Sequence, residues 1–262
     1  MKNFLYNEDC IQGAIEHLDE NSVDLIVTDP PYGIDGDTFD KHYNRNGCVL
    51  PGYVEVPNKR YNSFTHAWME QAHRVLRPNG IMYVVSGWTK ISSILVAAED
   101  LGFETVNHLI WQFNFGVYTS RKFVSSHYHI PMFRKKPKRG EAKANPYTFN
   151  AEPPEREEHR KALTEARGLK KETKASYHDR QDTFFIPKQY RTGEVRNQNQ
   201  LPHELVEKLI AHSSNPGDMV CDFFMGGFTT AFVAERMGRN VCGFEMNEHA
   251  YNHFAPMFGG KK

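Results

Sequence analysis

Residues 219–245, MVCDFFMGGFTTAFVAERMGRNVCGFE, decide the fold. An apolar strand over 219–224 runs into a Gly226-Gly227 turn, a helix over 229–237 stops at Gly238, and a second strand covers 240–245. Two short apolar runs around one helix-period segment make a βαβ unit. Upstream, Leu201-Pro202 opens a helix over 203–212, and Asn215-Pro216-Gly217-Asp218 turns the chain into the first of these strands. The amino-terminal half repeats the alternation. A strand over 4–6 leads through Asp9-Cys10 into a helix carrying Ile11, Ala14, Ile15 and Leu18. Residues 23–28 form a near-continuous apolar run of the kind buried on both faces of a parallel sheet. Helical spacing over 64–76 stops at Arg77-Pro78-Asn79-Gly80 before a strand over 81–85; a helix over 92–101 follows, then strands over 105–113 and 126–133 that read as an antiparallel pair. The pattern predicts an α/β fold, a mostly parallel sheet with helices on both faces.

Between residues 135 and 196 the periodicity breaks down into charges, Pro153-Pro154 and one helix over 156–169, so this interval reads as an insertion. It divides the chain into segments 1–134, 135–196 and 197–262. The 32 basic and 32 acidic side chains cancel overall, but residues 134–180 hold 14 Lys and Arg against 8 Asp and Glu. Such a local excess suits a phosphate-contacting surface as well as it suits a solvated charged helix. No apolar run reaches the length of a membrane span, and the start lacks a signal-peptide pattern, so a soluble cytoplasmic protein is expected. Cys10, Cys48, Cys221 and Cys242 are scattered, which argues against a disulfide framework or a zinc site. His127 and His129 share a strand face without a suitably spaced third ligand, and no metal is expected. Trp68, Trp88 and Trp111 read as packing residues.

Two places carry chemistry. Glycines at 226 and 227 let backbone approach a ligand, and Thr229-Thr230 opens a helix whose first N–H groups are unpaired. Glu245, at the end of the next strand, can accept from both hydroxyls of a ribose. Without a Gly-Lys-Ser/Thr a nucleoside triphosphate is a poor fit, and without GxGxxG so is a dinucleotide. The second place is Asp29-Pro30-Pro31-Tyr32, directly behind the 23–28 strand. Two prolines fix a rigid extended turn with free carbonyls. The Asp29 carboxylate and Pro30 carbonyl together could accept both hydrogens of an exocyclic amine and stabilise charge developing there. Tyr32 could stack on a base drawn out of its duplex.

The tetrad near the start, the glycine turn near the end and the irregular segment between them resemble the β class of amino-group DNA methyltransferases. That resemblance implies a circularly permuted, Rossmann-like fold and methyl transfer from S-adenosyl-L-methionine to adenine N6 or cytosine N4 in double-stranded DNA. It implies catalytic roles for Asp29, Pro30, Pro31 and Tyr32. For cofactor contacts it implies Asp9 and Cys10 at the adenine, Gln200 and Pro202 near the methionine part, and Asp29, Asp222, Phe224, Gly226, Gly227, Thr229, Thr230, Glu245 and Asn247. Adenine is the preferred target because Asp opens the tetrad. Cytosine N4 is the alternative, and a catalytically silent DNA-binding subunit is another. A homodimer and a companion restriction endonuclease are further expectations of the likeness. The insertion is expected to recognise the target, with Lys135, Lys136, Lys138, Arg139, Arg191 and Arg196 on the DNA. Three positions depart from the family pattern: Phe223 replaces a proline, Leu201 a common lysine, and Phe228 the second glycine of the turn. At Phe228 two outcomes stay open: a bulky side chain narrows the turn, or Gly227 supplies the missing freedom instead.

Overall fold

A computed structural model describes residues 2–33, 55–114, 116, 120–168, 177–188 and 200–258. Eight strands form one sheet: β1 (Asn3–Tyr6), β2 (Val23–Thr28), β3 (Leu76–Val84), β4 (Phe103–Gln112), β5 (His127–Lys135), β6 (Thr183–Phe185), β7 (Met219–Asp222) and β8 (Asn240–Phe244). Their spatial order is β1-β8-β7-β2-β3-β5-β4-β6, and β5 alone runs against the rest. The helices are α1 (Cys10–His17), α2 (Tyr61–Val75), α3 (Ile91–Asp100), α4 (Glu157–Ala166), α5 (His203–Ser213), α6 (Thr229–Arg236) and α7 (Glu248–Phe254).

Because side chains alternate along a strand, the sheet feeds two cores. Leu25, Val27, Ile81 and Tyr83 pack on one face with Leu205, Leu209, Ala231 and Val233 of α5 and α6. Ile26, Met82 and Val84 pack on the other with Trp68 and Ala72 of α2 and Ile94 of α3. The near-continuous apolar reading of β2 follows from this double burial: Leu25, Ile26 and Val27 have no exposed surface. Each contributes about 1.5–3 kcal/mol by leaving water.

Differences from the sequence reading have local causes. The Arg77-Pro78-Asn79-Gly80 stop lies inside β3: Val23 pairs with Leu76 and Leu25 with Ile81, so the extra residues bulge out, with Asn79 in the left-handed region at φ 63°. The bulge is held where Asn79 Nδ2 donates to the Asn145 carbonyl at 2.7 Å. Residues 135–196 are stitched to the rest: Lys135 ends β5, β6 adds a strand beside β4, and a buried Arg156 fork grips Asp179 at 2.6–3.1 Å. Of the three tryptophans, Trp68 and Trp111 are buried as expected, while Trp88 is 55% exposed.

Parallel strands all finish at one edge. The carboxyl ends of β1, β8, β7 and β2 therefore lie side by side, the place where open α/β sheets bind ligands.

Candidate active site

A cavity of about 320 Å³ opens along that edge, lined by Asp9 and Cys10 after β1, the 29–32 tetrad after β2, residues 222–227 after β7, and Glu245 to Asn247 after β8. The segments long apart in sequence thus share one cleft, with Tyr32 and Glu245 both on its wall.

The tetrad is placed by β2, whose Thr28 carbonyl accepts from Val85 N–H at 2.9 Å. One carboxylate oxygen of Asp29, Oδ1, is buried without a hydrogen-bond partner. Such an orphan acceptor is costly and leaves the tetrad with an unused lone pair. Burial pushes the Asp29 carboxyl up to about 7; a hydrogen bond with Tyr32 and the charge of Lys188 pull down, and Asp222 pushes further up.

Asp222 ends β7 and accepts from the Thr28 hydroxyl at 2.8 Å and from Phe224 N–H at 3.0 Å. Burial raises its carboxyl to about 6. The turn that follows is tied to β8: Met225 N–H reaches the Phe244 carbonyl at 3.0 Å, and Gly226 N–H donates to Glu245 Oε2 at 2.6 Å. Glu245 Oε1 accepts from Asn247 N–H at 2.7 Å, and burial lifts this carboxyl to about 7. A β-carbon added at Gly227 would stand 2.7 Å from the Gln200 side chain, so a larger residue there would require Gln200 to shift. Gly226 has φ 51°, a conformation glycine adopts freely.

Asp9 and Asn247 each have a second duty. Asp9 caps α1 by accepting from Ile11 and Gln12 N–H, and Asn247 caps α7 through His249 and Ala250 N–H. Gln200, Phe224, Thr229 and Thr230 line the cavity, whereas Pro202 lies outside its wall and precedes the first turn of α5. Glu8, Val56, Phe64, Met225 and Met246 also line it, unnoticed in the sequence because ordinary helix or turn patterning accounted for them.

Phe228 does not narrow the turn. It adopts the left-handed conformation its glycine counterpart would use, φ 58°, and carries its fully buried ring away from the cavity. The ring packs against Tyr251, Phe254 and Phe258 at 5.7–6.2 Å between centroids.

The basic cluster is also elsewhere. Since β5 is antiparallel, its end at Lys135 falls on the opposite edge of the sheet, where Lys135 Nζ donates to Asn21 Oδ1 at 2.8 Å and to the Arg74 carbonyl at 3.3 Å. Lys136, Lys138 and Arg139 follow from there and are not brought to the cavity; Arg191 and Arg196 lie outside the described residues. At the cavity's own edge are Lys59 and Arg60 before α2, Lys90 over the Tyr61 ring, and Lys122 over exposed Trp88.

The DNA methylase family profile matches residues 23–255. The chain is 30% identical over 241 residues to the type II methyltransferase M.HpaI of Haemophilus parainfluenzae, covering 90% of this chain and 68% of that protein. It is 28% identical over 265 residues to M.HinfI of Haemophilus influenzae, covering 94% and 65%. The chain thus spans about two thirds of the length of these relatives. Among solved structures, the putative DNA modification methylase TTHA0409 of Thermus thermophilus, complexed with S-adenosyl-L-methionine, superposes with TM-score 0.65 at 21% identity over 99% of this chain and 96% of that one. The cytosine-N4-specific PvuII DNA methyltransferase superposes with TM-score 0.66 at 17% identity over 95% and 84%.

Proposed function

The chain belongs to the DNA methylase family, and we propose that it transfers a methyl group from S-adenosyl-L-methionine to the exocyclic amine of a flipped base in double-stranded DNA, adenine N6. The observation that carries this reading is Asp29, with its buried and unpartnered Oδ1, on the wall of the same cavity as the glycine turn and Glu245.

The residues present fit the cofactor. Glu245 offers its carboxylate to ribose hydroxyls, Gly226 and Gly227 bring bare backbone to the wall, and Asp9, Cys10, Phe224 and Asn247 complete it. Bound there, S-adenosyl-L-methionine supplies an electrophilic methyl group on a sulfonium. The protein's part is positioning and electrostatics. Asp29 and the Pro30 carbonyl take the two hydrogens of the amine, which turns the nitrogen lone pair out of the ring and stabilises the positive charge gathering on nitrogen. The rigid Pro30-Pro31 turn spares the acceptors any reorganisation. Tyr32 offers the base a stacking face.

DNA approaches the carboxyl edge of the sheet, with Lys59, Arg60, Lys90 and Lys122 toward phosphates. The returning part of segment 135–196, which reaches this edge through β6, contributes to target recognition. Adenine is preferred over cytosine because Asp opens the tetrad. The silent-subunit reading loses its main motive, since Phe228 faces away from the cavity.

The test is direct. Unmethylated DNA incubated with the protein and S-adenosyl-L-methionine should yield N6-methyladenine on nucleoside digestion. N4-methylcytosine would correct the base, and neither product would refute the proposal.

A further inference from the structure

We propose that Lys188 reads the edge of the target base: its ammonium donates to the ring nitrogen bonded to the amine-bearing carbon, while Asp29 and Pro30 hold the amine. The inference rests on the function proposed above and deepens it.

Lys188 is placed by a pinned segment. Just after β6, Ile186 N–H donates to the Gln112 carbonyl at 3.0 Å, and the Ile186 carbonyl accepts from Trp111 Nε1 at 2.8 Å. Two residues on, Lys188 Nζ lies 4.5 Å from the Phe113 ring centroid and 4.8 Å from that of Tyr128. The Tyr128 ring is in turn 5.5 Å from Tyr32, which hydrogen-bonds Asp29. A cation is thereby carried over an aromatic wall to the flank of the tetrad, near enough that Asp29 and Lys188 each feel the other's charge.

The ammonium is half-buried, and its one hydrogen-bond partner among the described residues is the Tyr128 hydroxyl at 3.3 Å. It has three N–H donors, so two have no partner among those residues. A lysine that serves only to balance a carboxylate would pair with it directly. Among the described residues, Lys188 forms no ion pair within 4.0 Å.

An acceptor beside a donor is a reading head. Adenine and cytosine both present an NH₂ next to a bare ring nitrogen; guanine and thymine present a carbonyl next to a ring N–H. The first pattern complements Asp29 with Lys188. The second sets carbonyl against carboxylate and N–H against ammonium, so the same pair repels the wrong bases.

The test uses duplexes carrying the site mapped on methylated DNA, with the target base either natural or replaced by the 1-deaza (adenine) or 3-deaza (cytosine) analogue. The analogue keeps the amine and loses the ring nitrogen. Wild type should lose about 10- to 100-fold in kcat/KM on the analogue. Lys188→Met should lose a similar factor on the natural duplex and almost nothing more on the analogue, while Lys188→Arg keeps most of the discrimination. Cofactor affinity and melting temperature should stay near wild type in both variants. Full discrimination by Lys188→Met, or none by wild type, overturns the inference while leaving the methyltransferase reading intact. A wild type that methylates no natural duplex removes both. If Lys188→Met fails to fold, wild type and Lys188→Arg decide, and equal rates on both duplexes overturn the inference.

Discussion

Replacing Phe228 separates two effects that the structure sets against each other. The ring is fully buried among Tyr251, Phe254 and Phe258, and truncating such an aromatic costs about 3–5 kcal/mol. The backbone at φ 58° costs a residue with a β-carbon about 1–2 kcal/mol, which glycine avoids. Phe228→Gly should therefore destabilise by about 2–3 kcal/mol net, and Phe228→Ala, which loses the ring and keeps the strain, by about 1 kcal/mol more. In a chain of this size the glycine variant should melt about 5–10 °C lower, with alanine below it. Affinity for S-adenosyl-L-methionine, measured by calorimetry below the melting range, should be unchanged in both, because the ring is not part of the cavity wall. A tenfold tighter affinity in Phe228→Gly would refute the placement of the ring. An alanine variant as stable as the glycine variant would refute the strain argument.

Other outcomes follow from the site. Asp29 stabilises the positive charge developing on the amine only when it is ionised, and burial holds its carboxyl up to about 7, so kcat/KM should fall about tenfold per unit as pH drops below that value; a flat profile from pH 5.5 to 8 contradicts the role. The same shift acts oppositely on stability. A carboxyl raised by folding favours the folded state below the ordinary carboxylate range, and this contribution is lost as pH rises through about 7, which melting curves of wild type against Asp29→Asn would detect. Gly227→Ala drives its β-carbon into Gln200, and calorimetry should show about tenfold weaker cofactor binding; wild-type affinity would mean the two segments part freely. Removing Lys90 and Lys122 should lower the slope of log affinity for DNA against log salt by about 2, while removing Lys136 and Lys138 should leave it unchanged; the reverse result would put DNA on the opposite edge.

Much of the fold was legible because burial leaves a signature. Runs such as Leu25-Ile26-Val27, shielded on both faces, cannot be polar at any position, and they marked the central strands. β6 gave no such signal: three residues at the sheet edge, two of them exposed, carry no pattern. The glycine turn, the tetrad and Glu245 were legible because each needs a particular residue type. Their convergence followed once the strands were parallel, since every carboxyl end then shares an edge. The basic cluster misled because a count of charges does not say where a strand ends; the antiparallel course of β5 sends Lys135 away from the cavity. Phe228 stayed open for a similar reason, since side-chain size was legible and direction was not. Lys188 went unnoticed inside the irregular interval 135–196, and only the pinned turn at Ile186 sets it beside the aromatic wall.

The decisive variant is Asp29→Ala, with methyl transfer and cofactor affinity measured on the same preparation. Transfer should fall at least 100- to 1,000-fold, about the value of one lost transition-state contact, with S-adenosyl-L-methionine still bound within a few-fold of wild type. Undiminished turnover in that variant would contradict the role of Asp29.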